Sequence, residues 1–511
     1  MLRKIRQTVA LCCFMLVTLL FLDFTGTAHA WFGWLAKVQF LPAVLALNAV
    51  VIAFLIAATL LFGRIYCSVI CPLGVFQDLV ARIGTRGKKL PYAYSSSRPW
   101  LRYGFLALFI VAFVAGGSVF VALLDPYSAY GRMVGNLLQP LWIWGNNVLA
   151  HLAERAGSYA FYESSVWLKS MAVLVTAVVT LAVVGFLAFR YGRTYCNTVC
   201  PVGTVLGLLS RYSFFRIVID TDKCNGCGVC ARNCKASCID PKEHLVDGSR
   251  CVACMNCIGK CRKEAIGYRW KKATFRKESL LHEERLPVDQ TTPSANNTDG
   301  RRGFLSVAAL LVAAGIKSQI VPKEVKTKMD GGLAEILDRK LPTRQTPLSP
   351  PGSETARNLK KHCTACQLCI SACPNNVLRP SSDLETLMQP VMAYDRGYCR
   401  PECTRCSEVC PTGAIRTISQ EDKSSLQIGH AVWVKENCVP LTDGVRCGNC
   451  ARHCPVGAIR MIESEPGNPD SLRIPAVNTE RCIGCGACEN LCPARPFGAI
   501  YVEGHERHKT V

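Results

Sequence analysis

Residues 224–234 read CNGCGVCARNC, and residues 251–261 read CVACMNCIGKC. Each stretch is a Cys-x2-Cys-x2-Cys-x3-Cys run, the spacing of bacterial ferredoxins. Three thiolates on one tight loop can reach three irons of a single [4Fe-4S] cubane, and the fourth cysteine points at the neighbouring cluster. We therefore expect one cluster on Cys224, Cys227, Cys230 and Cys261, and the other on Cys251, Cys254, Cys257 and Cys234.

Four more cysteine runs follow in the last third of the chain. The second of them has three residues in its first gap and the third has eight, so an insertion lengthens one ligand loop and leaves three ligands in place. Their sixteen cysteines predict four further clusters, which makes about six [4Fe-4S] clusters in all. Spacing alone leaves open which runs pair. The runs are Cys363, Cys366, Cys369 and Cys373; Cys399, Cys403, Cys406 and Cys410; Cys438, Cys447, Cys450 and Cys454; and Cys482, Cys485, Cys488 and Cys492.

Zinc sites and disulfides are the alternative uses of so many cysteines. Zinc ligands usually come as two separated Cys-x2-Cys pairs, whereas here four ligands crowd into one loop six times over. Disulfide-rich scaffolds are usually short secreted chains, and this chain has 511 residues with 31 cysteines. The sequence has no Cys-x-x-Cys-His haem motif, no Walker loop and no G-x-G-x-x-G turn. We therefore expect iron–sulfur chemistry without haem, flavin or nucleotide.

Another motif occurs twice before these runs begin. Residues 63–74 read GRIYCSVICPLG and residues 192–203 read GRTYCNTVCPVG, each directly after an apolar segment. Two parallel repeats imply a pseudo-twofold axis along the membrane normal, which would make the two cysteine pairs face each other. One interpretation is a redox-active thiol set or a further redox centre, and the other is buried structural thiols or a disulfide. The candidate redox thiols are Cys67, Cys71, Cys196 and Cys200.

Four apolar segments are long enough to cross a bilayer, which takes about 20 residues. They occupy 8–24, 40–62, 101–124 and 168–189, and the first could instead be a cleaved signal peptide. The formal net charge is +22, and almost all of this excess precedes residue 351. Basic residues beside apolar helices orient membrane proteins, so we interpret the charge as a topology signal and expect no nucleic-acid partner. The pattern predicts a multi-pass protein of the bacterial cytoplasmic (inner) membrane, with the chain after residue 190 in the cytoplasm.

The predicted fold class is an α-helical membrane domain joined to α+β bacterial-ferredoxin-like [4Fe-4S] domains. The string RRGFL at 301–305, with the apolar run after it, fits a twin-arginine export signal and could add a fifth apolar segment. The alternative is a basic patch before a short buried helix. The predicted domains are a membrane domain at 1–212, a two-cluster domain at 213–268, a basic polar linker at 269–300, a twin-arginine-like signal or anchor at 301–320, a second linker at 321–356 and a four-cluster domain at 357–502.

With these motifs, residues 1–268 resemble the NapH type of membrane ferredoxin, which has two Cys-x3-Cys-Pro motifs and a pair of cubane runs. Residues 301–502 look like the NapG/MauM type, a four-cluster ferredoxin exported with a twin-arginine signal. The resemblance implies a fusion of two subunits that carry electrons from membrane quinol to an extracytoplasmic reductase, as the electron-transfer component of a quinol dehydrogenase. It also implies a periplasmic location for residues 357–502, contact with membrane lipid and an extracytoplasmic redox partner protein.

Two other functions stay open on this evidence. One is redox-dependent maturation or regulation of a metalloenzyme, in which the clusters reduce a metal site or sense redox state. The other is a ferredoxin hub with both cluster domains in the cytoplasm. No catalytic residue is predicted.

Overall fold

The computed structural model describes residues 2–87, 92–270, 328–329, 335–337 and 339–510. The twin-arginine-like segment at 301–320 and nearly all of the linker before it lie outside the described residues. Met1–Arg269 and Arg339–Val511 together form one compact unit, and Trp270–Asp338 forms another. In the latter, Lys328–Met329 pairs antiparallel with Glu335–Ile336.

Helices make up the region predicted to be the membrane domain. They are Leu2–Leu22, Thr27–Phe32, Trp34–Lys37, Phe40–Leu45, Ala49–Phe62, Ile65–Val69, Pro72–Gly87, Pro99–Val114, Ser118–Leu124, Pro126–Met133, Gln139–Arg155, Met171–Tyr191, Thr194–Thr198 and Pro201–Ser210, with a π-helical turn at Val134–Leu138. Two of the described helices, Leu2–Leu22 and Met171–Tyr191, are long and apolar enough to cross a membrane, each with 21 residues. We call them the first and second long helices.

The other two apolar segments are interrupted. The segment at 40–62 breaks after Leu45, where Asn48 caps a new helix by accepting a hydrogen bond from the Val51 amide. The segment at 101–124 breaks at Gly116, which has a φ of 77° that glycine adopts easily. The prediction of four spans is therefore not confirmed: two are found as single long helices among the described residues, and each of the other two segments forms a pair of shorter helices.

The two copies of the Gly-Arg-x-Tyr-Cys repeat fold alike. Their first glycines have a φ of 73° at Gly63 and 70° at Gly192, which ends the apolar helix before each copy. A five-residue helix then holds the first cysteine, and the next helix starts at the proline after the second cysteine. Proline suits that position because the first turn of a helix has no internal partner for its N–H groups.

The cysteine-dense regions repeat a second unit, in which an antiparallel strand pair separates two cysteine runs. The pairs are Ile239–Asp240 with Leu245–Val246, Leu378–Pro380 with Pro390–Met392, and Ile459–Glu463 with Arg473–Val477. The longer strands Leu426–Trp433 and Ile500–Thr510 also pair antiparallel, and Phe215–Ile219 is hydrogen-bonded to Ile266–Trp270. The short helices here are Val229–Arg232, Ala356–His362, Leu368–Ala372, Arg405–Glu408, Gln420–Ser425, Val439–Thr442, Asn449–Arg452 and Ala487–Asn490, with 3-10 turns at Ile258–Lys260 and Lys435–Asn437. These are ferredoxin-like domains.

The two ferredoxin-like regions contact opposite ends of the long helices. Just past the end of the second long helix, the Arg193 amide donates to the carbonyl of Lys235, in the two-cluster region, at 2.8 Å. Just before its start, the Trp167 ring lies 4.9 Å from the guanidinium of Arg379, in the four-cluster region. The four-cluster region also contacts the C-terminal end of the first long helix, because Arg405 donates a hydrogen bond to the Phe24 carbonyl. The long helices therefore lie between the two regions.

Candidate iron–sulfur and thiol sites

The thiols of the two-cluster region group across its two runs. Cys234 interacts electrostatically with Cys251, Cys254 and Cys257, so the last cysteine of the first run lies beside the first three of the second. Cys230 interacts instead with the other early cysteines of its own run, Cys224 and Cys227. The position of Cys234 has the crossed form that the ferredoxin spacing predicts, and the place of Cys261 beside Cys224, Cys227 and Cys230 stays a prediction.

Cys238 lies in this site as well, although its position in the sequence matches no cluster-ligand motif. Its side chain is buried, and its sulfur lies 3.5 Å from that of Cys234. It also shares a hydrogen bond with Cys251. Its only sequence signal is its place four residues after Cys234.

The four C-terminal runs pair in chain order, first with second and third with fourth. Three cavities are each lined by four cysteines, three from one run and the last one from its partner run. Their cysteines are Cys373, Cys399, Cys403 and Cys406; Cys438, Cys447, Cys450 and Cys492; and Cys454, Cys482, Cys485 and Cys488. The remaining thiols interact with one another electrostatically, and they are Cys363, Cys366, Cys369 and Cys410.

The number and arrangement of these cysteines bear on the kind of metal centre that they could hold. Among the residues that the structure describes, no three histidine, cysteine or carboxylate side chains come close enough to hold one metal ion. A tetrahedral zinc with sulfur ligands at about 2.3 Å would hold its thiolates about 3.8 Å apart. A cubane binds each thiolate to a different iron, so its ligands stand farther apart. Four cysteines around one cavity match the ligand number of a cubane.

The four Cys-x3-Cys-Pro thiols also come together. Each is almost fully buried, with 3 or 4% of its surface exposed. Burial raises the pKa of Cys200 well above its ordinary value, and the neighbouring Cys196, Cys71 and Cys67 raise it further. The two repeats thus contribute to one common site.

Two arginines cross between the repeats with near-symmetric contacts. Arg64 donates to the Cys196 carbonyl at 3.0 Å, and Arg193 donates to the Cys67 carbonyl at 2.8 Å. The motif's last glycine makes room for this exchange, because a Cβ on Gly203 would lie 2.2 Å from that Cys196 oxygen. Gly74 has the matching contact with Cys67. The repeated arginine and glycine therefore hold the two cysteine loops against each other.

An ion cluster connects this site to the two-cluster region. The Asp78 carboxylate lies 2.9 Å from the Arg193 side chain, 3.5 Å from Arg6 and 3.6 Å from Lys235. Burial acts to raise its pKa, but these cations, Arg193 first, hold the pKa of Asp78 well below its usual range. Asp78 therefore stays charged and joins the first long helix, both repeats and the ferredoxin-like fold.

On the other side of the thiols lies a buried polar group. Asp125 Oδ1, the Tyr127 hydroxyl and all three guanidinium nitrogens of Arg132 are buried and have no hydrogen-bond partner among the described residues. Tyr195 interacts electrostatically with Cys200 and with Asp125, and Arg132 with Cys366. The group lies between the Cys-x3-Cys-Pro thiols and the first C-terminal cysteine run, and no sequence motif indicated it.

Comparison with known proteins separates the Cys-x3-Cys-Pro segments from the C-terminal cysteine runs. The model of a 4Fe-4S binding domain matches residues 44–91 and 172–219, which contain the two Cys-x3-Cys-Pro copies. The model of a 4Fe-4S dicluster domain matches residues 362–414 and 445–495, which contain the two C-terminal run pairs. No solved structure matches the chain.

Of three curated relatives, two are of the NapG/MauM type and one is of the NapH type. The ferredoxin-type protein NapG of Escherichia coli is 30% identical over 216 residues, 39% of this chain and 84% of the relative. The methylamine utilization ferredoxin-type protein MauM of Methylophilus methylotrophus is 31% identical over 31% of this chain and 71% of its own length. The ferredoxin-type protein NapH of Haemophilus influenzae is 27% identical over 45% of this chain and 69% of its own length.

Proposed function

Because this chain belongs to the NapG, NapH and MauM ferredoxin-type proteins, we propose that it is a membrane-bound relay that carries electrons from quinol to an extracytoplasmic redox partner. Iron–sulfur electron transfer itself follows from the family. The observation that carries the larger proposal is the contact of two cysteine-rich regions with opposite ends of the same two long helices. A relay across a membrane needs carriers on both sides.

The cluster ligands are the 24 cysteines of the six runs. In this proposal each [4Fe-4S] cluster takes three thiolates from one run and the last from its partner, so the protein holds about 24 irons in these sites. The crossed groups around three cavities support this assignment. Iron and sulfide analysis of anaerobically purified protein tests it, and fewer than four clusters after reconstitution would contradict it.

The order of the carriers follows from contacts. Arg64 joins the Cys-x3-Cys-Pro site to the carbonyl of Ser249, two residues before Cys251. The electrostatic neighbours Arg132 and Cys366 connect the polar group to the first C-terminal cluster. Farther on, the Cys399 amide donates to the Cys485 carbonyl at 2.9 Å, which links the two C-terminal pairs. Electrons can therefore pass from site to site without leaving the protein.

The chemistry of the buried polar group supports quinol as the donor in this proposal. Oxidation of a quinol releases two electrons and two protons, so its site needs a base beside an electron acceptor. Within the described ranges, one carboxylate oxygen of Asp125 and three guanidinium nitrogens of Arg132 have no hydrogen-bond partner, and such nitrogens suit a quinone oxygen. We assign proton acceptance to Asp125 and orientation of the quinol oxygen to Arg132.

Quinol oxidation by the purified protein with an artificial electron acceptor is the decisive experiment. The relay predicts steady-state turnover that falls at least tenfold in Arg132→Gln, with all clusters retained. Asp470→Asn is a suitable control, because Asp470 is exposed in a loop of the last run pair. Full cluster content without any quinol turnover would refute the relay and favour a role in metalloenzyme maturation or regulation.

The location of the four-cluster region needs its own test. The proposal places residues 357–502 in the periplasm and residues 213–268 in the cytoplasm. Protease added to spheroplasts should then digest the C-terminal region, and replacing Arg301 and Arg302 with Lys should protect it while the rest of the membrane domain stays inserted. Protection of residues 357–502 in the unmodified protein would refute the export and the outward direction of electron flow together.

A further inference from the structure

We propose that the loop at 439–446, together with Phe497, is the docking surface through which electrons leave the protein, and that it receives a redox protein with acidic residues around its cofactor. This inference rests on the proposed electron relay, because it names the place and the chemistry of the relay's last step. It is tested apart from quinol oxidation, since electrons can be supplied to the clusters by a chemical reductant.

The last site along the proposed route is one of the two in the second C-terminal run pair. Arg132 connects the polar group to the first run pair through Cys366. The Cys399 amide then donates to the Cys485 carbonyl, so electrons enter the second pair at the site that contains Cys485. One site remains beyond it, which we call the terminal site. Its cysteines are Cys438, Cys447, Cys450 and Cys492.

A long insertion separates the first two ligands of the terminal site. Eight residues, 439–446, lie between Cys438 and Cys447, whereas the other five runs have two or three residues at this point. Val439 and Pro440 line the cavity among the four thiols, and every residue of 441–446 is exposed. The insertion therefore covers the terminal site with its first two residues and presents the rest to solvent.

Exposed apolar side chains surround the terminal site. Leu441 and Val445, both in the insertion, are 40 and 56% exposed, and Phe497 is 46% exposed. Asn437, which directly precedes the first ligand, lines the same surface cavity as Phe497, so the two chain segments lie side by side. Protein interfaces bury side chains of this kind at their centre. Close contact at this place would also shorten the path of the electron from the cluster to its acceptor.

The rim of this surface is basic. Six basic and two acidic side chains occur in the three segments that form it, 339–344, 435–446 and 493–498. Arg344 is paired with Glu489. Lys340 lies over the Phe497 ring at 5.7 Å, and both Lys340 and Arg446 are exposed. No carboxylate among the described residues forms an ion pair with either of these two cations. Unpaired cations around an apolar centre favour a partner with matching anions.

The same charges select among the possible occupants. A second copy of this chain does not fit, because an isologous contact would bring the basic rims of the two copies together. An acidic redox protein fits both the rim and the apolar centre. In the transfer step, the reduced cluster of the terminal site gives one electron to the oxidised cofactor of the partner, and no bond forms or breaks.

Cytochrome c in two charge forms is a suitable probe. Anaerobic protein is reduced with dithionite and mixed in a stopped-flow instrument with native ferricytochrome c, which is basic, or with its succinylated form, which is acidic. The succinylated form should be reduced about tenfold faster at low ionic strength, and the difference should vanish at high salt. Faster reduction of the native form would overturn the proposal.

Charge reversal locates the surface. Lys340→Glu combined with Arg446→Glu should slow the reduction of succinylated cytochrome c about tenfold and remove its salt dependence. The matched control is Arg357→Glu with Lys361→Glu, because these exposed cations lie in the helix Ala356–His362, beside the first C-terminal run. The control should change the rate by less than about twofold. Equal slowing in both double variants would overturn the proposal.

A second variant tests the apolar centre and keeps every charge. Leu441→Ser with Val445→Ser should slow the reduction of both forms of cytochrome c about threefold and leave the salt dependence unchanged. Unchanged rates would show that the insertion is not the docking surface. Because dithionite supplies the electrons, absence of quinol oxidation would not alter these readings. Failure of the docking tests would likewise leave the quinol step of the relay intact.

Discussion

Asp78→Asn should loosen the joint between the long helices and the two-cluster region. The carboxylate lies within 3.6 Å of side-chain nitrogens from Arg6, Arg193 and Lys235, and the change leaves these three cations without their common anion. Removing one partner of a buried ion pair costs about 3–5 kcal/mol. At about 3 kcal/mol, the population in which this joint is open should rise roughly 100-fold.

Hydrogen exchange measures that opening directly. Peptides that cover 192–203 and 230–240 should exchange roughly 100-fold faster in Asp78→Asn, because the Arg193 amide donates to the Lys235 carbonyl across the joint. Adding Lys235→Met removes one unpaired cation and should recover part of the protection. Exchange in Asp78→Asn that matches the exposed-site control Asp470→Asn within threefold would refute this account of the joint.

Three further predictions follow from the same structure. In crossed pairs, Cys492→Ser combined with Cys450→Ser should cost one cluster, about four irons, whereas Cys492→Ser with Cys488→Ser should cost two. Uncrossed pairing predicts the reverse, so iron analysis decides. Gly203→Ala should cost about 1–3 kcal/mol because its Cβ would meet the Cys196 carbonyl, and Gly185→Ala, which faces open space, should be neutral in a thermal assay. Burial, and then His505, lower the pKa of His508 to about 4, which favours its neutral form in the fold. The strand Ile500–Thr510 should therefore lose about 1–2 kcal/mol of local stability as the pH falls from about 6.5 to 5. His508→Asn should abolish this loss in hydrogen exchange.

The cysteine spacing predicted the ferredoxin-like regions because cluster ligation constrains the sequence locally. It could not predict the pairing of the C-terminal runs, since each run offers the same three-plus-one set of thiols. The pairing depends on the strand pairs at Leu378–Met392 and Ile459–Val477, which fold the chain back between consecutive runs. A corresponding strand pair lies between the two runs of the two-cluster region, at Ile239–Val246.

Hydropathy predicted the apolar segments. The charge count, however, did not separate buried charges from exposed ones. Arg64 and Arg102 are basic residues beside the apolar segments, whose charge was interpreted as a topology signal, and both are buried. Arg132 and Asp125 are likewise buried, although their stretch resembles a polar loop. A residue count cannot separate a solvated charge from one that packs against a site. The Gly116-Gly117 break, by contrast, has a visible signal in the sequence.

The proposed relay gives the packing of the two cluster regions a role that a hub would not need. A hub with both regions in one compartment would have no use for a docking contact at each end of the same helices. Here the Lys235 contact and the Trp167 contact flank the second long helix, and buried charged or polar groups continue from one to the other. Buried charges are costly to maintain in an apolar bundle unless anionic clusters or a bound substrate compensate them. Among the described residues Arg64 has no carboxylate within ion-pair distance, so it marks the position along this route where a compensating anion is expected, whereas Asp125 already offsets the charge of Arg132.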